Sequence, residues 1–452
     1  MNAATPRSAN SILAVLFFGV LMAALDIAIV GPALPALRTH FGVNERAISW
    51  VFTIYVLFNL TSTPIMAKLS DRLGRRLVYT CDVALFAVGS LIVATSHSFE
   101  QLLFGRAVQA LGAGGIFPVA SAVIGDTIAP ERRGRALGLI GAVFGVAFLL
   151  GPFLAALLLR FGWQWLFLIN LPIALALMIA SWRVLPATAQ AVPPPFDWGG
   201  AITISVALSG LAIGLGNIDA HRLASLAEHS VWPFLLTGIA AAVVAVLVER
   251  RAADPVLRPS WFASRQMKLV VIFAAGAGLG EAAMVFLPEL AVSALGMSPQ
   301  ASSFMLLPVV LALAIGSPLL GRALDRSGAK PIIVIALISL TAGAATIGLA
   351  PTTLTILVTG GILVGLGLSG LLGAPLRYVL LEEIAASERG AAQGLLTVFV
   401  SIGQLLSAAT IGAVAASAGG GASGYRESFA VMSAVVGVMA LLSLALRSRQ
   451  RR

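Results

Sequence analysis

Residues Ala67-Lys68-Leu69-Ser70-Asp71-Arg72-Leu73-Gly74-Arg75-Arg76 return 254 positions later as Gly321-Arg322-Ala323-Leu324-Asp325-Arg326-Ser327-Gly328-Ala329-Lys330. Both copies lie between long apolar runs. A second pair keeps the register, because Arg133-Gly134-Arg135-Ala136-Leu137-Gly138 matches Arg389-Gly390-Ala391-Ala392-Gln393-Gly394 at an offset of 256. Self-similarity at a fixed spacing marks a repeated structural unit. The copies follow in the same order, so the chain reads as two parallel halves. Parallel halves in a membrane protein place a substrate site near the bilayer midplane, where rocking exposes it to each side in turn. The repeat therefore points to a transporter architecture.

The composition around the repeat agrees. Of 452 residues, 59% are hydrophobic and 11% charged, against roughly 25% charged in soluble chains. That balance excludes a soluble enzyme. It also excludes a membrane barrel, whose strands alternate apolar and polar residues, because the apolar runs here are long and unbroken. The expected fold class is an all-α polytopic membrane protein. Hydropathy predicts fourteen helices, near 11–37, 47–66, 78–96, 101–124, 136–159, 165–182, 198–216, 232–248, 269–290, 302–320, 331–349, 354–376, 391–415 and 428–446. Two of them fall between the duplicated halves. The expected domains are an N-terminal six-helix bundle over 1–190, two extra helices with linkers over 191–262, and a C-terminal six-helix bundle over 263–452.

The net charge of +10 is organised by loops rather than by a face. With the N-terminus inside, 23 of the 29 Lys and Arg residues fall on the inner side, and five (Arg38, Arg46, Arg160, Arg222 and Arg426) on the outer. Such asymmetry orients a chain in a bacterial inner or plasma membrane with both termini cytoplasmic. Nucleic acid is not implied as a partner, and the lipid bilayer is. Arg447, Arg449, Arg451 and Arg452 read as a plain topogenic anchor, with contact to anionic lipid headgroups as the alternative. A single cysteine, Cys81, supplies no disulfide framework or metal motif. The run from Ser11 continues past Asp26 to Leu37, so it is expected to be a permanent first helix rather than a signal peptide.

Five motifs, in order, carry a family resemblance. Asp71-Arg72-Leu73-Gly74-Arg75-Arg76 follows Ala67 in the loop after helix two. Leu25-Asp26-Ile27-Ala28-Ile29-Val30-Gly31-Pro32-Ala33-Leu34-Pro35 lies in helix one, and Arg106-Ala107-Val108-Gln109-Ala110-Leu111-Gly112 in helix four. Helix five holds Gly141, Gly145 and Gly151-Pro152, then Ala155-Ala156, and Trp163-Gln164-Trp165-Leu166-Phe167-Leu168-Ile169-Asn170-Leu171-Pro172 follows. Together they resemble the major facilitator superfamily, and within it the fourteen-helix drug:proton antiporter branch. Departures are Ala28 and Gly31 for Thr and Asn, Gln164 for Arg, and Ala155-Ala156 for a Gly pair. The resemblance implies export of small amphipathic or lipophilic compounds driven by a proton gradient, with no cofactor. It also implies coupling roles for Asp26 and Arg106, and a monomer as the usual state.

Each motif has its own physical reading. Asp71, Arg72, Gly74 and Arg75, with their second copy at Asp325, Arg326 and Gly328, form cytoplasmic turns. Their arginines can pair with carboxylates or helix ends and latch the inner side shut. A plain positive-inside turn with glycine at a positive φ is the simpler alternative. Gly151-Pro152 removes a backbone donor and side-chain bulk, allowing a kink and close packing; the resemblance, which takes in Gly145, associates this motif with antiport.

Charges inside the membrane carry the functional reading. A carboxylate near the centre of a helix costs about 2.5–3.5 kcal/mol on insertion scales, and protonation removes that cost. Asp26 can thus alternate between two states as water access alternates. It lies about 16 Å from the outer end of helix one and Arg106 roughly 9 Å from that of helix four, within reach of a long guanidinium side chain. A static pair needed only for folding is the alternative. Glu281 is the second buried acid, a candidate for substrate or a second proton. Gln109 and the ring of Phe286 are candidate cavity groups for a lipophilic cation. Asn59, Asn170 and Gln404 fit a cavity or interhelical hydrogen bonds equally well. Glu289 is expected to face water near an outer helix end, and Asp82 to pair with Arg75 or Arg76.

Other functions fit less well. Neither Lys68, Lys268 nor Lys330 follows a glycine, so no phosphate-cradling loop is present. Ser369 cannot meet a histidine within the bilayer, because His40, His97, His221 and His229 fall in outer loops. No catalytic or metal site is expected. A dedicated exporter or proton symporter of one metabolite, and a non-transporting receptor, remain as alternatives.

Overall fold

The computed structural model describes residues 9–186, 198–219, 221–251, 259–384 and 389–447; the side chains of 130–135, 137, 138, 141, 142, 144, 223, 259, 325 and 389–394 lie outside that description. Most of the second repeat pair and the side chain of Asp325 therefore fall outside it. The described chain is helical. We number the long helices α1 (Ala9–Phe41), α2 (Glu45–Leu73), α3 (Arg75–Ala94), α4 (Phe99–Thr127), α5 (Pro130–Leu158) and α6 (Trp165–Val184). There follow α7 (Trp198–Gly216), α8 (Trp232–Glu249), α9 (Arg265–Leu295) and α10 (Pro299–Leu324). The last four are α11 (Ala329–Leu349), α12 (Leu354–Glu383), α13 (Arg389–Ser417) and α14 (Gly421–Ser443). Among the described residues thirteen are long and apolar enough to cross a membrane, and α5 carries a shorter apolar stretch, Gly145–Leu158.

The helices outrun the hydropathy windows. α1 reaches Phe41 because backbone hydrogen bonding continues through the polar Arg38-Thr39-His40, and α9 reaches Leu295 through the still apolar residues 291–295. Four are broken where continuous runs are predicted. α6 is interrupted at Ile169 and α9 at Phe286 ahead of Pro288, α10 passes through a 3-10 turn at Ser303–Leu306, and α12 breaks at Gly373 ahead of Pro375. Proline has no N–H to continue the ladder, which accounts for the breaks in α9 and α12.

The repeated turn carries a glycine at positive φ in both copies. Gly74 has φ 97° and Gly328 has φ 78°, a region that costs any residue with a Cβ. Ser98, Ser264 and Thr353 cap α4, α9 and α12 by accepting from Gln101 N, Met267 N and Ile356 N.

The chain forms two compact units, residues 1–33 with 54–196, and residues 34–53 with 197–452. In the first, α3 and α4 approach so closely that a methyl group at Gly89 would stand 2.2 Å from Gln109 N. In the second, α7 and α8 pack through Gly210 and Gly238, and α7 also lies on α13. The outer face of α8 leaves Leu236, Ile239, Val243 and Leu247 exposed. An apolar exterior is the arrangement a helix needs when its surroundings are lipid.

Candidate functional site

The first unit is organised around Asp26. Its carboxylate is fully buried, as are Arg106 and Gln109 of α4 and Ser90 of α3. Arg106 Nη1 donates to Asp26 Oδ2 at 2.7 Å and to Gln109 Oε1 at 2.6 Å. Gln109 Nε2 donates to Asp26 Oδ1 at 2.7 Å and to Ser90 Oγ at 2.8 Å. Asn170 Nδ2 reaches the same two oxygens at 3.4 and 3.3 Å. The guanidinium lies 4.2 Å from the centre of the Tyr55 ring and 5.8 Å from that of Phe167, geometries in which a ring face attracts a cation.

Local sequence explains the assembly. Arg106 and Gln109 are three residues apart on α4, hence on one face, while the break in α6 puts Asn170 at the head of its second segment. Gly151 of α5 seats against α1 two residues from Asp26: a methyl there would be 2.6 Å from Ala28 Cβ. Pro152 is buried beside it, whereas Gly145 is exposed with open space around it.

The chemistry follows from the donors. As a carboxylate, Asp26 accepts from a guanidinium and from an amide. A proton on Asp26 would make one of its oxygens a donor and remove half of a buried ion pair, so Arg106 would have to settle on Gln109 and the two rings. Asp26 protonation and the arrangement of five helices are thereby linked. Sequence reading names Asp26, Arg106, Gln109 and Asn170; it misses Ser90 and Tyr55, whose one signal is a polar group on the inward side of an apolar helix.

The first copy of the repeated turn motif lies in the same unit. Arg75 Nη1 pairs with Asp71 at 2.5 Å and donates to Ser70 Oγ at 2.6 Å, and its Nε meets Asp126 of α4 at 3.0 Å. Arg76 Nε donates to the Leu185 carbonyl at 2.6 Å, and Arg72 is exposed, as is Arg326 in the second copy. With both arginines so engaged, Asp82 does not form the pair expected of it. It is fully buried, and neither carboxylate oxygen has a hydrogen-bond partner among the described residues.

In the second unit, Glu281 of α9 is hydrogen-bonded by Gln404 of α13. Phe286, at the break in α9, is buried and stacks on Tyr425 with centroids 6.3 Å apart and planes at 25°. The structure thus places Gln109 with Asp26, and Glu281 and Phe286 in the other unit. Glu289 does not face water. It is fully buried and ion-paired with Arg38, which also bonds Glu45 at 3.0 Å, while Glu45 accepts from Gly421 N at 2.8 Å. The cause is the length of α9, which runs six residues past Glu289 before it ends.

Comparison with known proteins agrees with this architecture. The family described as Major Facilitator Superfamily matches residues 16–197 and 269–452. The MFS-type transporter YfiU of Bacillus subtilis is 36% identical over 395 residues, covering 86% of this chain and 76% of its own. The multidrug transporter protein MdtP of the same organism is 29% identical, covering 88% of this chain and 74% of its own. Among solved structures, the human organic anion transporter MFSD10 superposes with a TM-score of 0.64 at 18% identity, covering 97% of this chain and 100% of that one. The nucleoside transporter NupG gives 0.66 at 13% identity, covering 96% and 98%.

Proposed function

The chain belongs to the Major Facilitator Superfamily, and from that premise we propose that this transporter exports small amphipathic or lipophilic compounds, chiefly cations, in exchange for protons. As a member of that family it is a multi-pass membrane transporter and not an enzyme. The observation that carries the finer reading is the Asp26 carboxylate, fully buried and held by Arg106 and Gln109. Groups of this kind inside a membrane mark ion and proton pathways.

In the proposed cycle Asp26 gives its proton to the cytoplasmic side and closes on Arg106. It is reprotonated from the outer side, which frees Arg106 and favours the other access state. Glu281 in apolar surroundings, with Gln404 as its partner, suits attraction of a cation. The export direction and broad cargo draw on MdtP, a relative that is itself named a multidrug transporter. The family match omits residues 198–268, which supports two duplicated halves with α7 and α8 as an inserted pair, and so fourteen crossings. We place the protein in the bacterial inner membrane with both termini cytoplasmic, from the charge asymmetry of its loops.

The test is a pH-dye recording on proteoliposomes holding the purified protein and a proton gradient. Addition of tetraphenylphosphonium is expected to produce proton release. A silent trace from protein that binds the cation would reject antiport and favour a dedicated carrier of one metabolite.

A further inference from the structure

We propose that Asp82 is a second proton-binding site, occupied by a proton in the arrangement described and exchanging it with cytoplasmic water. The inference rests on the proton-coupled reading above for its role in transport, though not for the protonation itself. Asp82 lies seven residues into α3, roughly 10 Å from Arg75 at its cytoplasmic end. Its side chain is fully buried and points at the backbone of α4. A methyl group at Gly115 would stand 2.0 Å from Asp82 Oδ2, and one at Gly112 would meet the Asp82 carbonyl at 2.3 Å.

The surroundings offer no compensating charge. From α4 the facing positions are the glycines Gly112 and Gly115. On α6 Asn170 is bonded to Ser90 and Ser181 to Thr80, and Arg183 is exposed at the helix end. On α3 itself Tyr79 interacts electrostatically with Asp82, but its hydroxyl donates to the Val15 carbonyl of α1 at 3.1 Å, and Cys81 is exposed. Arg75 is held by Asp71, Ser70 and Asp126, and Arg76 by the Leu185 carbonyl. A buried carboxylate with neither counter-charge nor donor is far costlier than the neutral acid. The neutral, proton-bearing form is the one that fits.

The position suggests the use. Gln109, which holds Asp26, and Gly115, which faces Asp82, are six residues apart on α4, about 9 Å along its axis. The two acids thus occupy successive levels of one α3–α4 seam, Asp82 nearer the cytoplasmic ion cluster. The backbone of Phe86, whose side chain is fully buried, lies between those levels against Gly112. As the level nearer the cytoplasmic ion cluster, Asp82 is a site with its own route to the cytoplasm rather than a step towards Asp26. On deprotonation the O–H bond breaks, the proton leaves to cytoplasmic water, and the carboxylate is left to be hydrated as the seam opens.

The test compares wild type, Asp82→Asn, Asp82→Glu and Asp26→Asn as purified full-length protein in lipid nanodiscs. Infrared difference spectra are recorded between mildly acidic and alkaline buffer. Wild type and Asp26→Asn are expected to show loss of a protonated-carboxyl C=O band that Asp82→Asn lacks and Asp82→Glu restores at a shifted frequency. Identical spectra for wild type and Asp82→Asn would overturn the proposal. In the same samples tetraphenylphosphonium should release about half as many protons from Asp82→Asn as from wild type, and equal release would remove Asp82 from coupling. No release from wild type would reject antiport, while the infrared result still decides whether Asp82 holds a proton.

Discussion

At the level of single residues, Arg106 is the most constrained group in the first unit. It is fully buried and its chemistry is divided among a carboxylate, an amide oxygen and two rings. Removing one partner of a buried ion pair leaves the other charge uncompensated, at a cost on the order of 3–5 kcal/mol. Arg106→Ala should therefore lower thermal stability clearly, while Arg106→Ala combined with Asp26→Asn should lose much less than the two single losses added. Additive losses in that double-mutant cycle would show that the residues do not act as a pair. Asp26 and Arg106 were legible in the sequence because ionisable residues in apolar helices stand out. Asp82 and Glu289 were equally visible as acids, yet the lack of a partner for Asp82 and the pairing of Glu289 with Arg38 were not, since they depend on which arginine is already engaged and where a helix ends.

At the level of elements, the seating of α5 on α1, two residues from Asp26, depends on the absence of a side chain. Gly151 leaves no room even for a methyl beside Ala28. Gly151→Leu must push α1 away, and overpacking of this kind typically costs 1–3 kcal/mol, about as much as a local rearrangement can absorb. We expect that variant to lose transport at least tenfold, and Gly145→Leu, where space is open, to stay within about twofold of wild type, as measured by cation efflux from cells. Equal losses at both positions would show that the motif acts other than through packing. The glycine-proline pair and the turn glycines Gly74 and Gly328 were readable from sequence, because each has a backbone reason to be there. The breaks at Ile169 and Phe286 were not read, because hydropathy is the same whether or not a helix is interrupted; for Phe286 the sequence did hold the cue, Pro288.

At the level of the whole molecule, composition and the 254-residue repeat were enough to read an all-helical membrane transporter, and the family match and the solved structures agree with it. Cargo is not written at that scale: proteins of this architecture include carriers named for organic anions and for nucleosides. What distinguishes a coupled exporter is whether a proton must move for cargo to move uphill. The decisive measurement records internal pH and labelled tetraphenylphosphonium together in proteoliposomes containing wild type or Asp26→Asn. Wild type should accumulate the cation against its gradient while protons run the other way, and Asp26→Asn should still exchange the cation at equal concentrations yet fail to accumulate it. Uphill accumulation by Asp26→Asn at the wild-type rate would contradict the account.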